Sequence, residues 1–259
     1  MSDLFQGFVQ ALMLIFTIDG DLYAISARSL QVTLTATLIA TFVGIPFGAW
    51  LAVSNFRLRN GLINLTNALM GLPPVVVGLL VYLFLSKSGP FGVFNLLFTP
   101  TAMIIAQIII ILPIIASISH RTIRSLWKEY RDFFISLNAT RWQIILTLVK
   151  DSRRSLITAA LAGFGRGIGE VGAIMIVGGN IDHATRVLTT AISLETSRGN
   201  FHLAMALGIV LIIVSILINF SFNFLSFLRV ANILGAFSIV SLIPFSIPLD
   251  IIVFNIFIR

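Results

Sequence analysis

Residues 30–53 read LQVTLTATLIATFVGIPFGAWLAV, without a single charged side chain. About 20 predominantly apolar residues suffice for a helix to cross the ~30 Å hydrocarbon core of a bilayer. This stretch therefore predicts a transmembrane helix from Ser29 to Phe56, stopped by Arg57 and Arg59. Working outward, the same criterion finds a second span at Asn60 to Ser86, which contains LMGLPPVVVGLLVYLFL. A third runs from about Thr99 to Ser119, a fourth from Leu156 to Gly178 around two charges, and a fifth covers roughly Phe201 to Leu228. The fold class is an all-α polytopic transmembrane helix bundle with five core spans. Leu4 to Ile18 is short for a span and suits the membrane interface, while Ala231 to Ile258 has the length of a sixth helix but carries Pro244, Pro248 and Asp250. The expected organisation is an N-terminal segment over 1–28, a transmembrane domain over 29–230 and a C-terminal apolar segment over 231–259. No basic residue precedes Leu4 and Asp3 lies in its place, so a signal peptide is not expected.

Composition agrees with the spans. Of 259 residues 58% are hydrophobic and 10% charged, whereas a soluble domain carries roughly a quarter charged residues. A mean hydropathy of +1.03 and 22 Phe suit an outer surface in contact with hydrocarbon, where each charge is costly. Cysteine is absent and the three histidines are scattered, so neither a metal site nor a thiol-dependent reaction is expected. The net charge of +7 is not a nucleic-acid signature, because eight of the seventeen Lys and Arg lie between Arg121 and Arg154. Placing that loop and the loop after the first span on the cytoplasmic side puts eleven Lys and Arg inside and four outside (Arg28, Lys87, Arg186 and Arg198). The positive-inside rule selects this orientation.

The basic loop, residues 120–155, has an internal pattern. Leu126, Tyr130, Phe133, Phe134, Leu137, Ile144, Ile145 and Leu148 recur at helical spacings among the charges. Asn138-Ala139-Thr140 offers a turn and a helix start between two such stretches, which predicts a short surface helix-turn-helix. A basic amphipathic loop of this kind either lies on anionic lipid headgroups or docks on a partner protein.

Residues 132–149, DFFISLNATRWQIILTLV, resemble the cytoplasmic loop of ABC-importer permeases, whose consensus begins Glu-Ala-Ala and continues to Leu-Gly-Ala-Ser-Arg-Trp. Here the second part is Leu137, Asn138, Ala139, Thr140, Arg141 and Trp142. Asp132 stands where the family usually has Glu, Phe133 and Phe134 replace the two alanines, Asn138 replaces the glycine, and Lys150-Asp151 lies where Leu-Pro is common. Asn is the best non-glycine residue for a positive φ, so the turn is expected to survive. MGLPPVVVGLLVYLFLSKSGPFG, LLFTPTAMIIAQ and VGAIMIVGGNIDHATRVLTTAISLETSRGN are most similar to the tungstate-type permeases, relatives of the molybdate permeases, and the resemblance covers roughly residues 25 to 228. It implies a multi-pass subunit of a prokaryotic plasma membrane. It further implies a second copy of the chain, a cytoplasmic ATPase dimer docked on the loop, and an extracytoplasmic oxyanion-binding protein. Tungstate is the first cargo it suggests, with molybdate or sulfate as the alternatives. Phe133, Phe134 and Leu137 would be the apolar anchors on the ATPase.

Two features within the spans stand out. Pro73-Pro74 removes backbone donors and should break or kink the second span, either as packing or as a lining of the pathway. Arg166 and Glu170 lie four residues apart in the fourth span, where an ion pair can form on one helical face. Such a pair either fixes packing near the cytoplasmic end or contacts the substrate. Gly167, Gly169 and Gly172 fit G-x-G-x-x-G, but no strand precedes them, so close helix packing explains the glycines better than a dinucleotide site. The chain has no G-x-x-x-x-G-K-[ST], no filter-like loop and no clustered catalytic groups. The expectation is a transport subunit without catalytic residues or cofactor, ahead of an ion channel or a membrane-embedded enzyme.

Overall fold

The computed structural model describes residues 20–240, with Val9 and Met13 before them, and side chains as far as Ser221. The described residues form an all-α architecture. Helices α1 (Gly20–Val53), α2 (Arg59–Leu69) and α3 (Pro74–Leu85) are followed by a 3-10 turn at Gly92–Phe94. Then come α4 (Pro100–Ser136), α5 (Arg141–Asp151), α6 (Arg153–Ile168), α7 (Gly172–Gly178), α8 (Leu188–Ser197) and α9 (Phe201–Val240). The chain divides into two units, Met1–Ile216 and Leu217–Arg259, and the packing described below is that of the first. Apart from Val9 and Met13, the Leu4 to Ile18 segment lies outside the described residues, as do Pro244, Pro248 and Asp250.

Gly20–Val53, Pro100–Ser136 and Phe201–Ser221 are each long and apolar enough to cross a bilayer. The α2/α3 and α6/α7 pairs pass the same test together, bent by 102° and 62°, which brings the total to five if each pair is one span. Several boundaries differ from those read in the sequence: α1 ends at Val53, before Phe56, and α9 runs past Leu228 and Ala231 as far as Val240. The first helix begins at Gly20 and not at Ser29, because Arg28 does not end it: the guanidinium Nη2 donates to the His183 carbonyl at 3.2 Å. The third span does not stop at Ser119 but continues as one helix to Ser136. A change from apolar to amphipathic sequence marks where a helix leaves the bilayer, not where it ends. The fourth span is not a single helix, since α6 ends at Ile168 and α7 starts at Gly172.

The central pair is α1 against α4. Small residues recur every fourth position on α1 at Ala36, Ala40, Gly44, Gly48 and Ala52, all buried. Without a hydrophobic driving force between helices in lipid, association depends on such close backbone approach. A β-carbon at Gly48 would lie 2.5 Å from the Ala116 carbonyl oxygen and 2.9 Å from the His120 nitrogen, so the two backbones touch there. Just beyond, Arg59 Nε donates to the Leu51 carbonyl at 2.8 Å and Arg124 Nη1 to the Ala52 carbonyl at 2.8 Å. Both satisfy carbonyls left open at the C-terminal end of α1, where cations are favoured. A second core joins α3, α4 and α7 through Val77, Val81, Met103, Ala106, Ile174 and Val177.

Residues 181–200, between the fourth and fifth spans, contain α8 and are tied to α1 and to the end of α7. Leu188 N–H donates to Ser29 Oγ at 2.7 Å, and Thr185 Oγ1 donates to the Gly178 carbonyl at 2.5 Å.

Candidate functional site

The basic 120–155 region is the end of α4, a tight turn and α5. Asn138 adopts a left-handed φ of 49°. The Asn138 N–H reaches the Ile135 carbonyl at 3.0 Å and the Ala139 N–H reaches the Phe134 carbonyl at 3.1 Å. This pairing is the Schellman closure of a helix, with the left-handed residue just past its end. It explains why Asn is accepted where a glycine would be easiest. Thr140 then starts α5 with a capping box: its hydroxyl accepts from the Gln143 N–H at 3.4 Å, while Gln143 Oε1 accepts from the Thr140 N–H at 2.8 Å. The first helix of the expected helix-turn-helix is thus the extension of a long span, so the tip is rigidly joined to the bundle.

Burial divides the predicted loop residues into two groups. Phe134 is buried with Ile123, Ile144, Ile145, Leu148 and Leu156, stacked on Trp127, and Ala139 packs partly against the same cluster. Phe133 (59% exposed), Leu137 (61%) and Trp142 (73%) point away from that core, as does Leu146 (67%), which the sequence pattern did not single out. Asp132, Asn138, Thr140 and Arg141 are also exposed. Phe134 therefore cannot be an anchor for a partner; it holds α5 against α4 and α1. Phe133, Leu137, Trp142 and Leu146, with Ile135 beside them in sequence, are the large apolar side chains left exposed around the turn.

The second constellation lies where the two broken spans meet. Pro73 is the N-cap residue of α3 and Pro74 opens it, where a missing N–H costs nothing. A β-carbon at Gly172 would lie 2.7 Å from Val75 Cγ2, and one at Gly78 would lie 2.7 Å from Ala173 Cα, so the starts of α3 and α7 are in backbone contact. Glu170 occupies the α6/α7 break, not a helical face. Its Oε2 accepts from Arg166 Nη1 at 2.8 Å and its Oε1 from the Ala173 N–H at 3.3 Å. The freed backbone is satisfied by side chains from elsewhere: Gln107 Nε2 donates to the Gly167 carbonyl at 3.0 Å and Thr189 Oγ1 to the Glu170 carbonyl at 2.9 Å. Gln107 and Thr189 were not anticipated; only an uncharged polar residue inside an apolar run could have flagged Gln107.

Arg166 lies thirteen positions after Arg153, a rise of about 20 Å along the helix. The pair therefore lies at the broken end of α6, in its last turn, and not at its start beside the basic loop. The two side chains are unlike in environment, Glu170 being 5% and Arg166 37% exposed. Exchanging them would place a guanidinium in the enclosed position against the Ala173 N–H, donor facing donor. The exchange is therefore expected to be no milder than a single substitution, contrary to the symmetric picture of two residues on one helical face.

Residues 44–231, which include the tip, both breaks and the ion pair, match the family model described as binding-protein-dependent transport system inner membrane component. The chain belongs to this family of ABC-importer permeases. It is a multi-pass membrane protein with a transport role. Among its relatives, the tungstate uptake system permease protein TupB of Peptoclostridium acidaminophilum is 39% identical over 85% of this chain and 96% of its own length. The TupB of Campylobacter jejuni is 36% identical over 84% and 91%. A Haloferax volcanii protein named "Probable anion ABC transporter permease protein" is 40% identical over 74% and 84%.

Proposed function

We propose that this permease forms the membrane pathway of an ATP-driven oxyanion importer whose cargo is tungstate, working as a homodimer. A pair of cytoplasmic ATPase subunits hydrolyses ATP, and an extracytoplasmic binding protein delivers the anion. The observation that carries the reading is the exposed apolar tip, Phe133, Leu137, Trp142 and Leu146, on a capped turn continuous with a long span. A rigid apolar knob of this kind suits helix-in-groove recognition by a soluble partner. Because α4 continues from Pro100 to Ser136 with its interior proline at Pro113, the stretch after Pro113 carries movement of the partner's groove into the bundle as one helical segment. The names of the two tungstate uptake relatives support the cargo; molybdate and sulfate are the competing oxyanions.

Reconstitution with the cognate ATPase and binding protein tests the reading. Vesicles should accumulate radiolabelled tungstate only with both partners and ATP, and excess molybdate or sulfate should compete according to the binding protein's affinities. Oxyanion flux without ATP or the ATPase would replace the importer with a channel.

The orientation has its own test. The chain lacks cysteine, so Ser125→Cys and Ser197→Cys, both at exposed positions, each introduce one thiol. A membrane-impermeant maleimide should label the first only from the cytoplasmic side and the second only from outside. The reverse pattern would invert the topology.

A further inference from the structure

Arg166 and Glu170 form an ion pair that is open on one side. The carboxylate is enclosed, with Oε2 held by Arg166 and Oε1 by the Ala173 N–H. The guanidinium uses Nη1 on Glu170, which is its one hydrogen-bond partner among the described residues, and its side chain remains 37% exposed. A guanidinium has five N–H donors in a planar fork, so most of its donor edge is free. On the same side of α6, Ala162, Gly165 and Gly169 are exposed, and a β-carbon at Gly165 would meet nothing within 4 Å.

A partly exposed guanidinium two residues before the break of a bent helix pair apolar enough to cross the bilayer cannot rest against acyl chains, and its tie to Glu170 keeps it from reaching toward the interface. It must face water or protein. The site also adjoins the junction of the two helix breaks, where Gly172 meets Val75. Irregular backbone at membrane depth is tolerated where it is buried in protein or lines a water-filled cavity, and broken helices commonly frame substrate sites in transporters.

We propose that Arg166 is a transient oxyanion contact in the translocation pathway, its Nη1 fixed by Glu170 and its free edge offered across the open Ala162–Gly165–Gly169 side of α6 to a tetrahedral dianion. This deepens, and rests on, the importer reading. Glu170 sets the strength of the contact. An unpaired arginine in a low-dielectric pathway would hold a dianion tightly, whereas one already neutralised by an enclosed carboxylate binds it weakly enough to release it. Conduction requires that balance between entry and departure.

Ala162→Cys in the whole importer complex, in nanodiscs, tests the proposal with small thiol reagents. The anionic methanethiosulfonate should react about tenfold faster than the cationic one after correction for their intrinsic rates, because fixed charge in a low-dielectric cleft concentrates the opposite sign. Millimolar tungstate should slow both reactions. Adding Arg166→Gln should abolish the anion preference, Arg166→Lys should retain it, and Glu170→Gln should increase it. A thiol that reacts with neither reagent would show that the face is covered by lipid or protein and overturn the proposal. An anion preference unchanged by Arg166→Gln would do so too. Failure of the importer reading would show separately, as wild-type complex that accumulates no oxyanion with ATP.

Discussion

Leu137→Asp is expected to detach the ATPase from the permease while leaving the transmembrane bundle folded. Leu137 is 61% exposed at the C-cap of α4 and belongs to none of the buried clusters, so the free permease loses little when it becomes polar. In the docked state an aspartate would sit unpaired in an apolar groove. Interface anchors of this kind cost about 2 kcal/mol or more on truncation, and burying an uncompensated charge adds to that. The expected loss of affinity is about thirtyfold or more, enough to lose the ATPase on co-purification and to abolish binding-protein-stimulated hydrolysis. Phe134→Asp, three residues earlier, should behave differently. That side chain is 8% exposed within the cluster joining α5 to α4 and α1, and its loss should damage folding before coupling is tested. Retained ATPase association in Leu137→Asp would mean that the tip lies on lipid, and the coupling role would be withdrawn.

That contrast also shows where the sequence was informative. The apolar runs that become three long helices and two bent pairs, the turn at Asn138 and the break at Pro73-Pro74 were visible in residues 30–228 because each rests on local chemistry: run length, tolerance of positive φ, and a missing N–H. The division between Phe133 and Phe134 was not visible, because adjacent helical residues point about 100° apart and only the position of α5 decides which one is covered. The break at Gly169–Val171 was similarly hidden. Its glycines suit a tightly packed continuous helix equally well, and the groups that satisfy the opened backbone come from Gln107 on α4 and Thr189 on α8, far away in sequence. The asymmetry of the ion pair follows from that break, since a Glu170 on an unbroken helix would share the exposure of Arg166.

Gly48→Leu is expected to prevent the bundle from assembling. Ala36, Ala40, Gly44, Gly48 and Ala52 form the α1 face against α4, and the helices are tightest at Gly48, where a β-carbon would lie 2.5 Å from the Ala116 carbonyl oxygen and 2.9 Å from both the His120 nitrogen and Ser119 Cβ. Two of these three atoms are backbone, so rotamer changes cannot make room and α1 must move away from α4. Overpacking a well-filled core costs about 1–3 kcal/mol, and here the displaced helix would also pull the Leu51 and Ala52 carbonyls from Arg59 and Arg124. Carbonyls left unsatisfied at that end add about 1–3 kcal/mol each where they stay buried. The sum approaches the whole stability of a typical domain, about 5–15 kcal/mol. Gly61→Ala is the matched control, a helical glycine in α2 where a β-carbon would meet nothing within 4 Å and where alanine gains up to about 1 kcal/mol in helix propensity. Size-exclusion profiles and thermal unfolding in detergent should show Gly48→Leu as aggregated or absent and Gly61→Ala as at least as stable as the parent. A monodisperse, normally melting Gly48→Leu would mean that α1 and α4 do not approach through this face, and the close contact at the centre of the fold would be wrong.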